Sequence, residues 1–107
     1  MRYHLRMPNL RVQIVRFVDE EPQPGIVESR FRDARGAVHT VIDKVPIFTD
    51  ADLWSDSEYP QPGLVGCVVL QQIFDSTGPN LARITTCGVE TTNGESEFVI
   101  AEAELSD

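Results

Sequence analysis

Apolar and polar residues alternate along most of this chain, the period of a half-buried β-strand rather than of a helix. In Arg11 to Val18 (RVQIVRFV), Val12, Ile14 and Arg16 share one parity while Gln13, Val15 and Phe17 share the other. Apolar residues on both faces suit a closed or two-layer β structure. In Ile26 to Arg32, Val27 and Phe31 fall on one face, with Glu28, Arg30 and Arg32 opposite. Asp33-Ala-Arg-Gly36 is tight-turn chemistry, because aspartate can cap its own turn and glycine accepts the left-handed conformation that leaves it. Ala37 to Val45 then returns as the second arm of a hairpin.

Leu64 to Phe74 (LVGCVVLQQIF) is the most apolar run and the expected central strand, long enough to need a bend, for which Gly66 is the natural place. Asp75-Ser-Thr-Gly-Pro-Asn80 is a cluster of turn formers, after which Leu81 to Cys87 would pair back onto the long strand. Asn93-Gly94, preceded by two threonines, turns the chain sharply before a last strand, Ser96 to Leu105. There Val99, Ala101, Ala103 and Leu105 are expected to face the core near the end, rather than Phe98 and Ile100.

The only helical signal is at Thr49, a candidate N-cap with Asp52 three residues on as a weak capping box. Phe48 and Leu53 have the spacing of a hydrophobic staple, and Asp50 and Asp52 complement a helix start. One helical turn, Asp50 to about Ser55, follows. The expected fold is all-β: about six antiparallel strands in a small barrel or a twisted two-layer sheet. One domain is expected over residues 1–107, with residues 1–8 a loosely attached tail because Pro8 interrupts strand pairing.

One short echo runs through the sequence. Glu20-Glu-Pro-Gln-Pro-Gly-Ile-Val27 matches Glu58-Tyr-Pro-Gln-Pro-Gly-Leu-Val65, 38 residues later. Both read as extended segments that glycine releases into a strand opening a hairpin, which would suit approximate internal symmetry.

Composition narrows the possible roles. With 41% hydrophobic residues, a chain of 107 residues can bury a core without metals or disulfides. No apolar run approaches the roughly 18 residues of a membrane span, and Arg11 and Arg16 break the only stretch that resembles a signal-peptide core. A cytoplasmic protein is expected, with no membrane partner. The net charge of −8 is unevenly laid out: residues 1–18 hold Arg2, Arg6, Arg11 and Arg16 and no acid. From Val45 onward, eleven acids face one base, Arg83, a net −10. Such a surface repels nucleic-acid phosphates and favours a basic protein partner.

Candidate chemistry is sparse. Counting a calcium loop from Asp50 puts Trp54, Ser55 and Gln61 where ligands five and twelve and the glycine at six should stand, so no metal site is read there. Cys67 and Cys87 lack paired short spacings and read as two buried thiols, close enough across strands to allow a disulfide. His4 falls in the tail, and His39 is expected to pair with Arg30 or Glu28. No nucleophile turn, phosphate cradle or dinucleotide loop occurs, so no catalytic or cofactor residue is assigned.

What remains is an acidic-aromatic stretch, DADLWSDSEYPQPG. Asp50, Asp52, Trp54, Asp56, Glu58 and Tyr59 are the candidate partner-binding residues: tryptophan and tyrosine anchor interfaces, and carboxylates around them suit a cationic partner. Trp54 could instead fold inward as a lid, leaving Tyr59 and the acids outside.

The motifs F-R-D-A-R-G, K-V-P-I-F-T, Y-P-Q-P-G and G-V-E-T-T-N-G-x-x-E-F-V, over residues 31–99, resemble a group of small bacterial proteins of unassigned role. The resemblance implies a soluble bacterial single domain and carries no residue role. The expected function is a non-catalytic acidic binding protein, for instance a neutralising partner of a basic protein such as a toxin's immunity protein. The alternative is an enzyme or ligand-binding β-barrel whose site is assembled from distant residues. Homo-oligomerisation stays open at this stage.

Overall fold

The period-two segments pair into two antiparallel sheets in a computed structural model that describes residues 5–74 and 76–107. Eight strands occur among them: β1 (Asn9–Asp19), β2 (Ile26–Arg32), β3 (Val38–Lys44), β4 (Gln61–Gly66), β5 (Val68–Ile73), β6 (Leu81–Thr85), β7 (Glu97–Ala101) and β8 (Leu105–Ser106). The larger sheet runs β3-β2-β1-β4, with β8 also on β1, and the smaller runs β5-β6-β7. Asn9 pairs with Gly66 of β4 on one side and Ser106 of β8 on the other, so β8 follows β2 along the same edge of β1.

The fold is a pair of twisted sheets and not a closed barrel. Their edges touch through single backbone bonds, Ala34 N to Val99 O at 2.8 Å and Thr92 N to Thr40 O at 2.9 Å. Two strands expected to be continuous instead turn the corner between sheets. The long apolar run breaks at Gly66 and Cys67, where β4 leaves one sheet and β5 enters the other. The last strand breaks at a 3-10 turn, Glu102–Glu104. That turn also shifts the phase of burial: Phe98 and Ile100 face the core, contrary to the parity expected, and Leu105 is buried only because the turn intervenes.

The core joins Leu10, Val12 and Ile14 of β1 to Val27 and Phe31 of β2, Val65 of β4, Ala82 and Ile84 of β6, and Phe98 and Ile100 of β7. Arg16 does not share their face. A register shift between Ile14 and Arg16 sets two residues of β1 against one of β2, so Val15 is a bulge and Arg16 turns outward opposite Glu28. Phe17 opposite Val27 thereby returns to the core side.

The expected helical turn at Asp50 to Ser55 is absent. The Thr49 hydroxyl accepts from Ala51 N at 3.1 Å, two residues on, a local turn rather than a helix cap. One turn of helix fixes several dihedrals for a single hydrogen bond, and Phe48 and Leu53 gain more by both entering the core. The 3-10 turn lies earlier, at Val45–Ile47 with Pro46 in its first turn.

The Pro-Gln-Pro-Gly echo also diverges. Its first copy is a turn closed by Gly25 N to Pro22 O at 2.9 Å, whereas in the second Gln61 already begins β4 and Gly63 lies inside it. The cis bonds differ too, preceding Pro22 and Pro24 in the first copy but only Pro60 in the second.

At the N-terminus, residues 1–4, including His4, lie outside the described residues, and so does Asp75 of the expected turn. Residues 5–8, read from the sequence as tail, follow the sheet corner. Pro8 is buried, its carbonyl accepts from Cys67 N at 3.0 Å, and Arg6 O accepts from Val69 N at 3.0 Å. The Arg6 guanidinium pairs with Glu102 and Asp107. No helix among the described residues is long and apolar enough to cross a membrane.

Candidate functional site

The loop between the 3-10 turn and β4 hangs from two buried side chains. Phe48 and Leu53 are 2% and 3% exposed, so the chain between them is held against the end of the core. Leu53 thus plays the lid role considered for the tryptophan. Trp54 points outward and is 57% exposed. Tyr59 shows the opposite correction to the expectation: it packs against the core, and its hydroxyl donates to Trp54 O at 2.7 Å. Burial, with the Asp56 charge adding to it, pushes the Tyr59 phenol up.

Three further bonds fix the loop. Ser57 N donates to Trp54 O at 3.1 Å, Trp54 N donates to Ser57 Oγ at 2.9 Å, and the Gln61 amide donates to Glu58 O at 2.9 Å. The backbone of Trp54 is therefore clamped on both sides while its ring remains free. Asp50, Asp52, Asp56 and Glu58 are all exposed, and none is in an ion pair among the described residues. The structure brings Asp50, Asp52 and Trp54 to one place, a cleft of about 200 Å³ whose other walls include Pro24, Pro46 and Thr49. Asp56, Glu58 and Tyr59 do not line it.

Segment Pro46 to Ala51 is a ridge, with this cleft on one side and a larger groove of about 1290 Å³ on the other. Sequence reasoning did not find that groove. Its floor is the outer face of the larger sheet, and among its lining residues are Arg11, Gln13, Arg30 and Arg32, with Asp50 and Glu104. Antiparallel register assembles the cations: Gln13 lies opposite Arg30, with Arg11 and Arg32 one alternate position further along each strand. The signal was present in the even positions of β2, but the net charge of the whole chain obscured it.

On that face Glu28 is only 6% exposed, covered by Arg16 at 2.9 Å and Arg30 at 2.7 Å, both more than half exposed. Burial alone would raise its carboxyl, but the two guanidinium bonds outweigh it and hold the group below the usual range. A depressed folded-state value means the stabilisation is fully present above the unfolded value, near 4.3, and is lost as pH falls through the folded one. Glu28→Gln is expected to cost about 1–2 kcal/mol at pH 7, between exposed and buried pairs, because both arginines remain solvated. The same variant should lose less stability than wild type between pH 5 and 3, measured by denaturant titration.

His39 pairs with Asp33, Nε2 to Oδ2 at 2.8 Å, and not with Arg30 or Glu28 as expected. The imidazole also stacks on Phe31 and meets the edge of Phe98, with centroids 5.2 and 4.9 Å away. Asp33 is held low chiefly by the His39 bond, which outweighs its burial, and also by the amides of Arg35 and Ala37. The pair braces the hairpin turn and lines neither cavity.

The thiols are unalike, where two buried ones were expected. Cys67 is buried and pushed up to about 11, mainly by desolvation, while Cys87 is exposed, and the two are not bonded. A thiol reagent such as DTNB should therefore titrate one cysteine rapidly in the native protein and the second only after unfolding. Two rapid equivalents would contradict the burial of Cys67.

Among the described residues no group of three or more His, Cys, Asp or Glu is placed to hold a metal ion. What the arrangement can do is bind. Trp54 lines the smaller cleft together with the acidic residues Asp50 and Asp52, and Arg11, Arg30 and Arg32 line the larger groove beyond the ridge. Comparisons with protein-family models, with characterised proteins and with solved structures found no match, so these roles rest on the geometry alone.

Proposed function

We propose that the chain is a non-catalytic binding protein that takes an arginine or lysine side chain of a basic protein partner into the Trp54 cleft. The observation that carries this reading is the cleft itself: about 200 Å³, with Trp54, Asp50 and Asp52 in its walls. A cation over an indole face gains about 0.5–2 kcal/mol, more as it is desolvated, and the two carboxylates add charge complementarity. Preorganisation of the main chain supports it too, since the clamped Trp54 backbone leaves only the indole to be ordered on binding. Asp56 and Glu58 stand outside the cleft, where they attract an approaching cation without touching it. A neutralising role towards a basic protein, of the immunity-protein kind, is one form such a binder could take.

The test is kinetic. A deca-arginine peptide is passed over immobilised protein at several salt concentrations. Asp56→Asn with Glu58→Gln should slow association and flatten its salt dependence while leaving dissociation nearly unchanged. Asp52→Asn should instead speed dissociation. Rates identical to wild type in both variants would remove the loop from the binding surface.

A further inference from the structure

We infer that a partner of the Trp54 cleft is a second copy of this chain, each molecule placing Arg11 in the cleft of the other. The inference rests on reading the cleft as a cation site. Its own observation is that the complementary surface lies just across the ridge. Arg11 sits on the outer face of β1 opposite Leu64, and Leu64 N donates to Phe48 O in the ridge at 2.9 Å. The Arg11 backbone is thus two strand spacings, about 10 Å, from the ridge whose far side is the cleft, while its guanidinium leans the other way, onto Ala103 beside β8.

Arg11 is exposed, and the acceptor found for its guanidinium is the neutral carbonyl of Ala103, at 2.7 Å, so its charge is not cancelled there. Arg30 differs, being paired with Glu28. A two-fold interface requires that a surface and its complement occur on the same molecule, on either side of the axis. Here a cation and a cation-accepting cleft flank one ridge, and an axis through Pro46 to Ala51 exchanges them. Ile47 on the ridge and Leu64 beside it, exposed at 39% and 42%, supply the apolar contact such an axis would bury. The dimer tolerates a net charge of −8 per chain because each Arg11 meets Asp50 and Asp52 of the other copy.

Sedimentation equilibrium tests this with the full chain at low and at moderate salt. Wild type should dimerise, more weakly as salt rises. Arg11→Glu, and separately Asp50→Arg with Asp52→Arg, should each weaken self-association by about tenfold or more. Mixed in equal amounts, the two variants should recover a dimer, because each now supplies the charge the other lacks. Arg11→Gln, with unchanged melting temperature, guards against a folding defect. A wild type that stays monomeric at low salt overturns the inference, as does a dimer that survives both charge reversals or a mixture that does not associate. Arg11→Glu keeps the Trp54 cleft intact. If it binds deca-arginine while wild type is monomeric, the self-pairing alone is wrong; if it does not, the cation site is wrong as well.

Discussion

Leu10→Ala is expected to cost about 2–5 kcal/mol, the range for emptying a buried leucine site that cannot collapse. Leu10 has no exposed surface and stands where three strands meet, opposite Val65 of β4 and Leu105 of β8. The cavity would open at the corner where the chain passes between the two sheets, with backbone on both sides fixed by ladder bonds. In a domain of this size such a loss lowers the melting temperature by roughly 10 °C or more. Thermal unfolding by circular dichroism measures it. A shift of only a few degrees would mean that β8 does not close over Leu10.

Trp54→Ala should behave in the opposite way. The ring is 57% exposed, and the bonds that fix the loop use the Trp54 backbone and not the indole. Stability should therefore change by no more than about 0.5 kcal/mol. Binding of a cationic ligand should weaken by about 0.5–2 kcal/mol, roughly twofold to thirtyfold, as the cation–indole contact is lost. Leu53→Ala is the contrasting variant, since Leu53 is the buried lid and should lower the melting temperature. If Trp54→Ala were the destabilising change and Leu53→Ala the harmless one, the two neighbours would have been assigned in reverse.

That reversal marks where the sequence was legible and where it was not. Turn chemistry is local, so Asp33 to Gly36 and Asn93-Gly94 were readable directly: Gly36 and Gly94 have φ of +84° and +79°, conformations glycine adopts without strain. The bounds of β2 were readable because its alternation is clean. β7 was not, since Phe98, Val99, Ile100 and Ala101 are all apolar and either parity could face inward. The bulge at Val15 leaves no local mark either, as one added residue changes every later side without changing composition.

The acidic residues around Trp54 were visible as a cluster, and Phe48 and Leu53 as a spaced apolar pair. Which of Leu53, Trp54 and Tyr59 goes inward depends on the shape of the core end, a product of residues far away in sequence. The groove beside it was hidden for a related reason: Arg11 and Arg30 are nineteen positions apart, and only the strand register places them together.

Whether a cation enters the Trp54 cleft, as proposed, can be read from one spectrum. The chain has a single tryptophan, so its indole N–H gives one cross-peak in a ¹⁵N–¹H correlation spectrum. On titration with deca-arginine at moderate salt, that peak should move saturably, together with the amides of Asp50, Asp52 and Leu53. The amides of Glu95 and Glu97, acidic and exposed but in another part of the fold, should stay in place. A peptide that shifts Glu95 and Glu97 as much as Trp54, or leaves the indole unmoved, would show attraction to charge in general and contradict a cation site at this cleft.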